Sequence, residues 1–185
     1  LFGPGEDKQD FLVFDFCGNL EYFSQDLPGS QGQTQKSLTQ RIFEARLGLV
    51  TAIGDAEPDL RASTVKTLHA VIAGMNLDNF VVRPHRRTVE RYGAASAWNR
   101  ISPEDSEALL TLAGLPSSVR DDDEDAKRFD LLILRRQLAQ LDGDVVLAER
   151  LREAVQHIAA MLLGKTTIPS VAEQALLLES VAGDE

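Results

Sequence analysis

The sequence predicts a mainly α-helical domain of about six to seven helices, preceded by one β-strand that lacks a sheet. From residue 36 onward, apolar residues recur every three to four positions, which is the helical period. Residues 11–16 instead form a short, nearly continuous run of aromatic and branched apolar residues, typical of a strand buried on both faces of a parallel sheet. Residues 26–35 lie between these two regions and have the Gly-, Pro-, Ser- and Gln-rich composition of a linker. We therefore divide the chain into residues 1–25, the linker, and a helical domain of residues 36–185.

Apolar stripes and helix-end signals predict where each helix lies. The expected helices are, in order, 36–53, 58–75, 85–97, 102–113, one from the acidic run 121–125 to Gly143, one from Val146 to Gly164, and one from Pro169 to about Leu178. The clearest start signal is Ser102-Pro103-Glu104-Asp105. Its serine can accept a bond from a backbone N–H, its proline needs no donor in the first turn, and its two acids favour the positive end of the helix dipole. The connections are short, so neighbouring helices should pack as in an antiparallel bundle.

Charge and cysteine usage narrow the class of protein. The formal net charge of −10 argues against a general nucleic-acid coat, because neutralising phosphates requires clustered Lys and Arg. The single cysteine, Cys17, cannot form an internal disulfide, and we interpret it as a buried apolar residue in a reducing cytoplasm. The chain begins with Leu rather than Met and shows no signal peptide, and none of its apolar runs approaches the ~18 residues that span a bilayer. We expect a cytoplasmic piece of a larger protein.

The sequence predicts no catalytic, metal-binding or cofactor-binding residue. It lacks the P-loop, the dinucleotide-binding glycine motif, the His-Glu-x-x-His zinc motif and the Gly-x-Ser-x-Gly nucleophile motif. Metal loops space their carboxylates at alternate positions around a turn glycine, whereas the run 121–125 has five contiguous acids. We interpret that run as a solvated loop that donates a carboxylate to the next helix.

A cluster of basic residues is the one candidate contact site. Arg83, His85, Arg86, Arg87 and Arg91 lie within nine residues, with only Glu90 opposing them. Arginine side chains suit phosphate or carboxylate recognition because their donors form a fixed fork. Two interpretations stay open: the cluster pairs with the protein's own acids, including the run 121–125, or it contacts DNA or an acidic partner surface.

Four segments resemble a known family, the C-terminal part of the R subunit of type I restriction enzymes and closely similar DEAD/DEAH-box proteins. They are residues 1–23 (LFGPGEDKQDFLVFDFCGNLEYF), 80–92 (FVVRPHRRTVERY), 121–141 (DDDEDAKRFDLLILRRQLAQL) and 165–181 (KTTIPSVAEQALLLESV). The resemblance covers nearly the whole chain, and its motifs are structural rather than catalytic.

The resemblance implies an ATP- and Mg²⁺-dependent parent that translocates DNA and cleaves it, with a nuclease and two RecA-like motor domains. Residues 1–25 would be the tail of the second motor domain, which would explain a strand without its sheet. Residues 36–185 would be a helical domain that docks the motor onto the methyltransferase and specificity subunits. The family's ATP, Mg²⁺ and nuclease residues do not lie in this chain, so we expect it to be non-catalytic and to bind no cofactor. The alternative is a DNA-contacting accessory domain of a DEAD/DEAH-box helicase.

The strand at 11–16 raises a separate expectation. A strand of buried type should be covered by the chain's own helices or by pairing with a second copy, and without either it should be disordered.

Overall fold

A computed structural model of the chain describes residues 36–54, 56–119 and 123–183. All regular structure in these residues is helical, which confirms the mainly α-helical class. The helices are α1 (Leu38–Ile53), α2 (Pro58–Ala73), α3 (Arg86–Tyr92), α4 (Pro103–Leu110), α5 (Glu124–Leu141), α6 (Val145–Leu163), α7 (Pro169–Glu173) and α8 (Ala175–Ala182), with 3₁₀ helices at Arg83–His85 and Ala95–Trp98. The predicted strand at 11–16, the tail 1–25 and the linker 26–35 lie outside the described residues.

Four helices begin at a side chain that accepts hydrogen bonds from otherwise unpaired backbone N–H groups. Ser37 accepts from the N–H of Gln40 at the start of α1. Ser102 begins α4 as predicted, in a reciprocal capping box with Asp105. Asp123 caps α5 and Asp144 caps α6. The prediction that the acidic run donates a carboxylate to the next helix is therefore confirmed at Asp123.

The short helix predicted at 85–97 is present as α3, but its predicted end near 97 is wrong, because the chain leaves the α-helix at Gly93. A continuing helix would need the carbonyls of Tyr92 and Gly93 as acceptors for later backbone N–H groups. The Tyr92 carbonyl instead accepts from the indole N–H of Trp98 at 2.8 Å. The Gly93 carbonyl is 2.8 Å from Nε2 of His69 on α2. Side chains thus take the acceptors that would extend α3, and residues 95–98 form a 3₁₀ helix.

Two other predicted helices also differ from the structure. The helix from Ser102 ends at Leu110 rather than near 113. Directly after Leu110, the Thr111 hydroxyl donates to the Ala108 carbonyl at 2.7 Å. The last predicted helix is two helices, α7 and α8, that meet at Gln174. This break raises the number of α-helices in the described residues to eight, above the six or seven expected.

Helix α1 lies between two clusters of buried apolar side chains. The larger cluster joins one face of α1 to α2 and to residues 75–112, and its fully buried members include Leu47, Leu68, Ile72, Tyr92, Trp98, Leu109 and Leu112. The smaller cluster joins a second face of α1 to α5 through Ile42, Ala45, Leu49, Ile53, Leu131 and Leu134. Beside it, Arg46 of α1 and Asp130 of α5 form an ion pair at 2.8 Å. Both clusters therefore depend on α1.

The last three helices are less covered than the rest of the described chain. Helix α6 contacts both α5 and α8 and buries Leu151, Val155 and Ala159, whereas α7 and α8 contain no buried residue. Of the eleven large apolar side chains exposed in the described residues, eight lie after residue 128. Among the helices described here, none is both long and apolar enough to cross a membrane.

Candidate interaction surfaces

The basic cluster lies on one short, well-anchored segment. Its five residues occupy the 3₁₀ helix Arg83–His85 and α3. Val82, Val89 and Tyr92 of the same segment are buried in the larger core cluster. Since these apolar residues face inward, all four arginines of the cluster are exposed and the histidine is half-buried.

Two of the four arginines pair with acids of the same chain. The Arg86 guanidinium lies 3.2 Å from the carboxylate of Glu90, one turn later on α3. Arg91 lies 2.8 Å from the carboxylate of Asp105 at the start of α4, and its guanidinium is 5.2 Å from the ring centre of Tyr92. The interpretation that the cluster pairs with the protein's own acids therefore holds for these two residues.

The other basic residues of the cluster are placed differently. Among the residues that the structure describes, Arg83 and Arg87 have no carboxylate within ion-pair distance. His85 places Nδ1 3.2 Å from the hydroxyl oxygen of Thr111. Two exposed guanidinium groups, one turn apart, are thus available to an external anion.

The acidic run does not pair with the basic cluster at the positions that the structure describes. Asp123 caps α5, Glu124 pairs with Lys127 at 2.7 Å, and Asp125 pairs with Arg128 at 2.7 Å. Positions 121 and 122 lie outside the described residues.

Asp105 connects the basic cluster to α4. Its carboxylate accepts from the backbone N–H of Ser102 at 3.0 Å, and its own N–H donates to the Ser102 hydroxyl at 3.1 Å. The bond from Ser102, the neighbouring Tyr92 hydroxyl and the Arg91 guanidinium together lower the pKa of Asp105 below its ordinary value. Burial and the Asp105 carboxylate raise the pKa of Tyr92 to about 12. Asp105 is therefore ionised, and Tyr92 neutral, at physiological pH.

Among the residues that the structure describes, no three His, Cys, Asp or Glu side chains converge as metal ligands would. A cleft of about 570 Å³ lies between α1, α2, residues 114–119 and α5, and the Arg46–Asp130 ion pair is part of its lining.

A second, more apolar groove of about 440 Å³ lies among α5, α6 and α8, and sequence reasoning did not predict it. Its apolar lining consists of Phe129, Ile133, Val155, Ile158, Ala159, Leu162, Leu177, Leu178 and Val181. We call this set the C-terminal groove. The one sequence signal was the run Leu176-Leu177-Leu178, which carries more apolar residues than a single buried stripe needs.

Charged side chains lie at one end of the C-terminal groove. Arg136 of α5 and Arg152 of α6 both line it. Arg152 binds Glu149 through two nitrogens, at 2.6 and 3.0 Å, and this bond together with the charge of Arg136 lowers the pKa of Glu149. Nε of Arg136 is buried and has no hydrogen-bond acceptor in the described residues. Arg136, Arg152 and Glu149 thus lie close together at this end of the groove, and Arg136 is the cation whose Nε has no acceptor in the described residues.

Neither models of protein families nor curated proteins nor solved structures match this chain. The resemblance to the R subunit of type I restriction enzymes therefore stays a prediction.

Proposed function

We propose that this chain is a non-catalytic docking module of a cytoplasmic type I restriction R subunit. In this role it joins the ATP- and Mg²⁺-dependent DNA translocase and nuclease of the parent protein to the methyltransferase and specificity subunits. The observation that carries the proposal is the C-terminal groove, an apolar surface next to several exposed apolar side chains. Exposed apolar side chains that lie together along a groove, rather than singly, are a feature of protein–protein contacts. The resemblance of the four quoted segments supplies the identity of the partner.

Co-elution in size-exclusion chromatography tests the docking proposal. The chain is mixed at micromolar concentration with the methyltransferase–specificity complex encoded beside its parent gene. We expect a new peak that contains all the components and elutes before either starting material. Separate peaks at concentrations of tens of micromolar would contradict the proposal. Serum albumin, which is also acidic, is the control for nonspecific association.

A second function is favoured by a separate observation, the two arginines without acidic partners in the described residues. As an alternative, we propose that Arg83 and Arg87 contact the phosphate backbone of duplex DNA held by the parent complex. Both are exposed on a segment that buried apolar residues hold in place, and guanidinium groups suit phosphate oxygens. The contact would be independent of DNA sequence, because phosphates carry no sequence information.

The salt dependence of DNA binding tests this second function. Each phosphate contact contributes about 0.9 to the slope of log K against log salt concentration. Changing both Arg83 and Arg87 to Ala should therefore reduce the slope by about two. The matched control is Arg86→Ala with Arg91→Ala, in which the two arginines already pair with Glu90 and Asp105 and a smaller reduction is expected. Absence of duplex binding by the wild-type chain at low salt would rule out this function.

A further inference from the structure

We infer that the C-terminal groove binds one amphipathic helix of the partner, with an acidic residue of that helix near Arg136. The inference rests on the docking function proposed above. It assigns the docking to one surface of this chain and gives the bound partner helix one direction along it. It is independent of the basic cluster, whose residues are not among those that line the groove.

The shape of the groove favours a helix as its occupant. Helix α6 contributes an apolar strip spaced i, i+3, i+4 and i+7, in which Val155 and Ala159 are buried and form the floor of the groove, and Ile158 and Leu162 are half-buried at its surface. Helices α5 and α8 both contact α6, and side chains of both line the groove beside this strip. Seven residues of α-helix rise about 10 Å, so the strip matches about two turns of a bound helix. Recognition of this kind uses apolar anchors spaced i, i+3 or i+4, and i+7.

The charges of the groove favour one direction for that helix. Arg136 and Phe129 lie seven residues apart on α5, which is about 10 Å along the helix axis. Arg136 places a cation at its end of the groove, whereas Phe129 marks an apolar region at a distance of about two helical turns. Arg136 is the better recognition group of the two cations, because Arg152 already binds Glu149 through two nitrogens. A partner carboxylate near Arg136 would complement this charge and fix the direction.

A second copy of this chain is a less favourable occupant. Each copy has a formal net charge of −10, so association of two copies brings like charges together. A partner helix requires only one local carboxylate and no approach of two strongly acidic bodies.

Two neighbouring leucines of α8 provide the matched test. Leu177 lines the groove and is 60% exposed, whereas Leu176 lies outside the lining and is 84% exposed. Both can be changed to Asp without placing a charge in the core. Leu177→Asp should weaken binding of the methyltransferase–specificity complex by roughly tenfold or more, whereas Leu176→Asp should change it by less than about twofold. Biolayer interferometry gives the affinities, and circular dichroism verifies that both variants fold.

A second pair of variants tests the direction in which the partner helix lies in the groove. Arg136 lines the groove, and its neighbour Arg135 is exposed and does not. Arg136→Gln should weaken binding severalfold and make it less sensitive to salt, and Arg135→Gln should do neither. In the wild-type complex, hydrogen exchange should slow at the backbone amides of α8, and α3 should be unaffected.

Other outcomes separate the inference from the docking function. If the wild-type chain binds and both leucine variants bind equally well, docking stands and the groove is ruled out. Equal losses in both variants also overturn the groove, since a general apolar surface would then mediate contact. A wild-type dimer in analytical ultracentrifugation that only Leu177→Asp dissociates would assign the groove to a second copy and overturn the inference. Failure of the wild-type chain to bind at all overturns the docking function, and this inference with it.

Discussion

Asp105 is the residue at which three local interactions meet. Its side chain is 13% exposed, caps α4 through Ser102, and pairs with Arg91 across the turn that follows α3. These contacts favour the ionised carboxylate, which is why the pKa of Asp105 is lowered in the folded protein. The stabilisation that they provide is therefore present above the pKa of the unfolded chain, about 4, and is lost as the pH falls toward the folded-state pKa.

The variant Asp105→Asn tests this pH dependence. Asn keeps the size of the side chain and loses the charge, so the variant should be less stable than the wild type at pH 7. The difference should shrink as the pH falls below about 4, because the carboxyl of the unfolded chain is protonated there, and it should vanish below the lowered folded-state pKa. Urea unfolding at pH 7 and pH 3 measures both values. Glu90→Gln is the control, because Glu90 is 52% exposed in its pair with Arg86 and should have little effect at either pH.

Leu109 and Leu110 are adjacent leucines with opposite environments. Leu109 is fully buried in the larger core cluster, whereas Leu110 is 44% exposed. Leu109→Ala should lower the free energy of unfolding by about 2–5 kcal/mol, and Leu110→Ala by less than about 1 kcal/mol. Trp98, the single tryptophan, is 2% exposed and reports unfolding by fluorescence. Similar losses in the two variants would contradict this assignment of the core.

At the residue scale, the sequence predicts contacts between near neighbours in the chain better than it predicts ion pairs between distant residues. The cap at Ser102 could be predicted because it depends on side chains within three positions. The sequence could not predict which arginines of the basic cluster are paired, because the carboxylate that pairs with Arg91 lies fourteen residues later, across a turn. The hydrogen bond from the buried Trp98 indole to the Tyr92 carbonyl could not be predicted either.

Helix ends show the same limit at the scale of the element. The periodicity of α1, α2, α5 and α6 predicts each of them to within a few residues of its observed ends. At the break after Tyr92, the Gly93 carbonyl is 2.8 Å from Nε2 of His69, which lies twenty-four residues earlier on another helix. No local signal for that contact exists in the sequence.

Two glycines at helix contacts predict opposite effects of added side chains. A Cβ on Gly48 of α1 would lie 3.6 Å from a Leu138 methyl, an ordinary contact. Gly48→Ala should therefore stabilise the protein by about 0.5–1 kcal/mol, since Ala favours a helix interior over Gly. A Cβ on Gly74, at the end of α2, would lie 2.6 Å from the Ser117 hydroxyl, which donates to the Val71 carbonyl. Because moving Ser117 breaks that bond, Gly74→Ala should destabilise by about 1–3 kcal/mol.

Thermal unfolding followed by circular dichroism measures both glycine variants. Opposite shifts in Tm, upward for Gly48→Ala and downward for Gly74→Ala, are expected under identical conditions. An unchanged or raised Tm for Gly74→Ala would show that residues 117–119 move aside without cost.

For the molecule as a whole, the sequence predicts that helices bury apolar stripes but does not predict the stripe that remains open. Leu49 of α1 and Leu177 of α8 are both leucines of amphipathic helices, yet Leu49 is buried and Leu177 is 60% exposed. Burial depends on which helices meet, and α8 contacts α6 and α7 without a covering layer in the described residues. The C-terminal groove therefore became apparent only in three dimensions.

The position of α1 predicts a gradient of local stability across the described residues. Helix α1 buries seven residues and belongs to both core clusters, whereas α7 and α8 bury none. Native-state hydrogen exchange should therefore be slowest at the amides of α1, which open only on global unfolding, and fastest at α7 and α8. Leu49→Ala removes an α1 side chain from the smaller cluster and should accelerate exchange in α2 as well as in α5, because both helices pack on α1. Leu177→Asp should leave exchange in α1 unchanged. Acceleration confined to α5 in Leu49→Ala would show instead that the two clusters unfold independently.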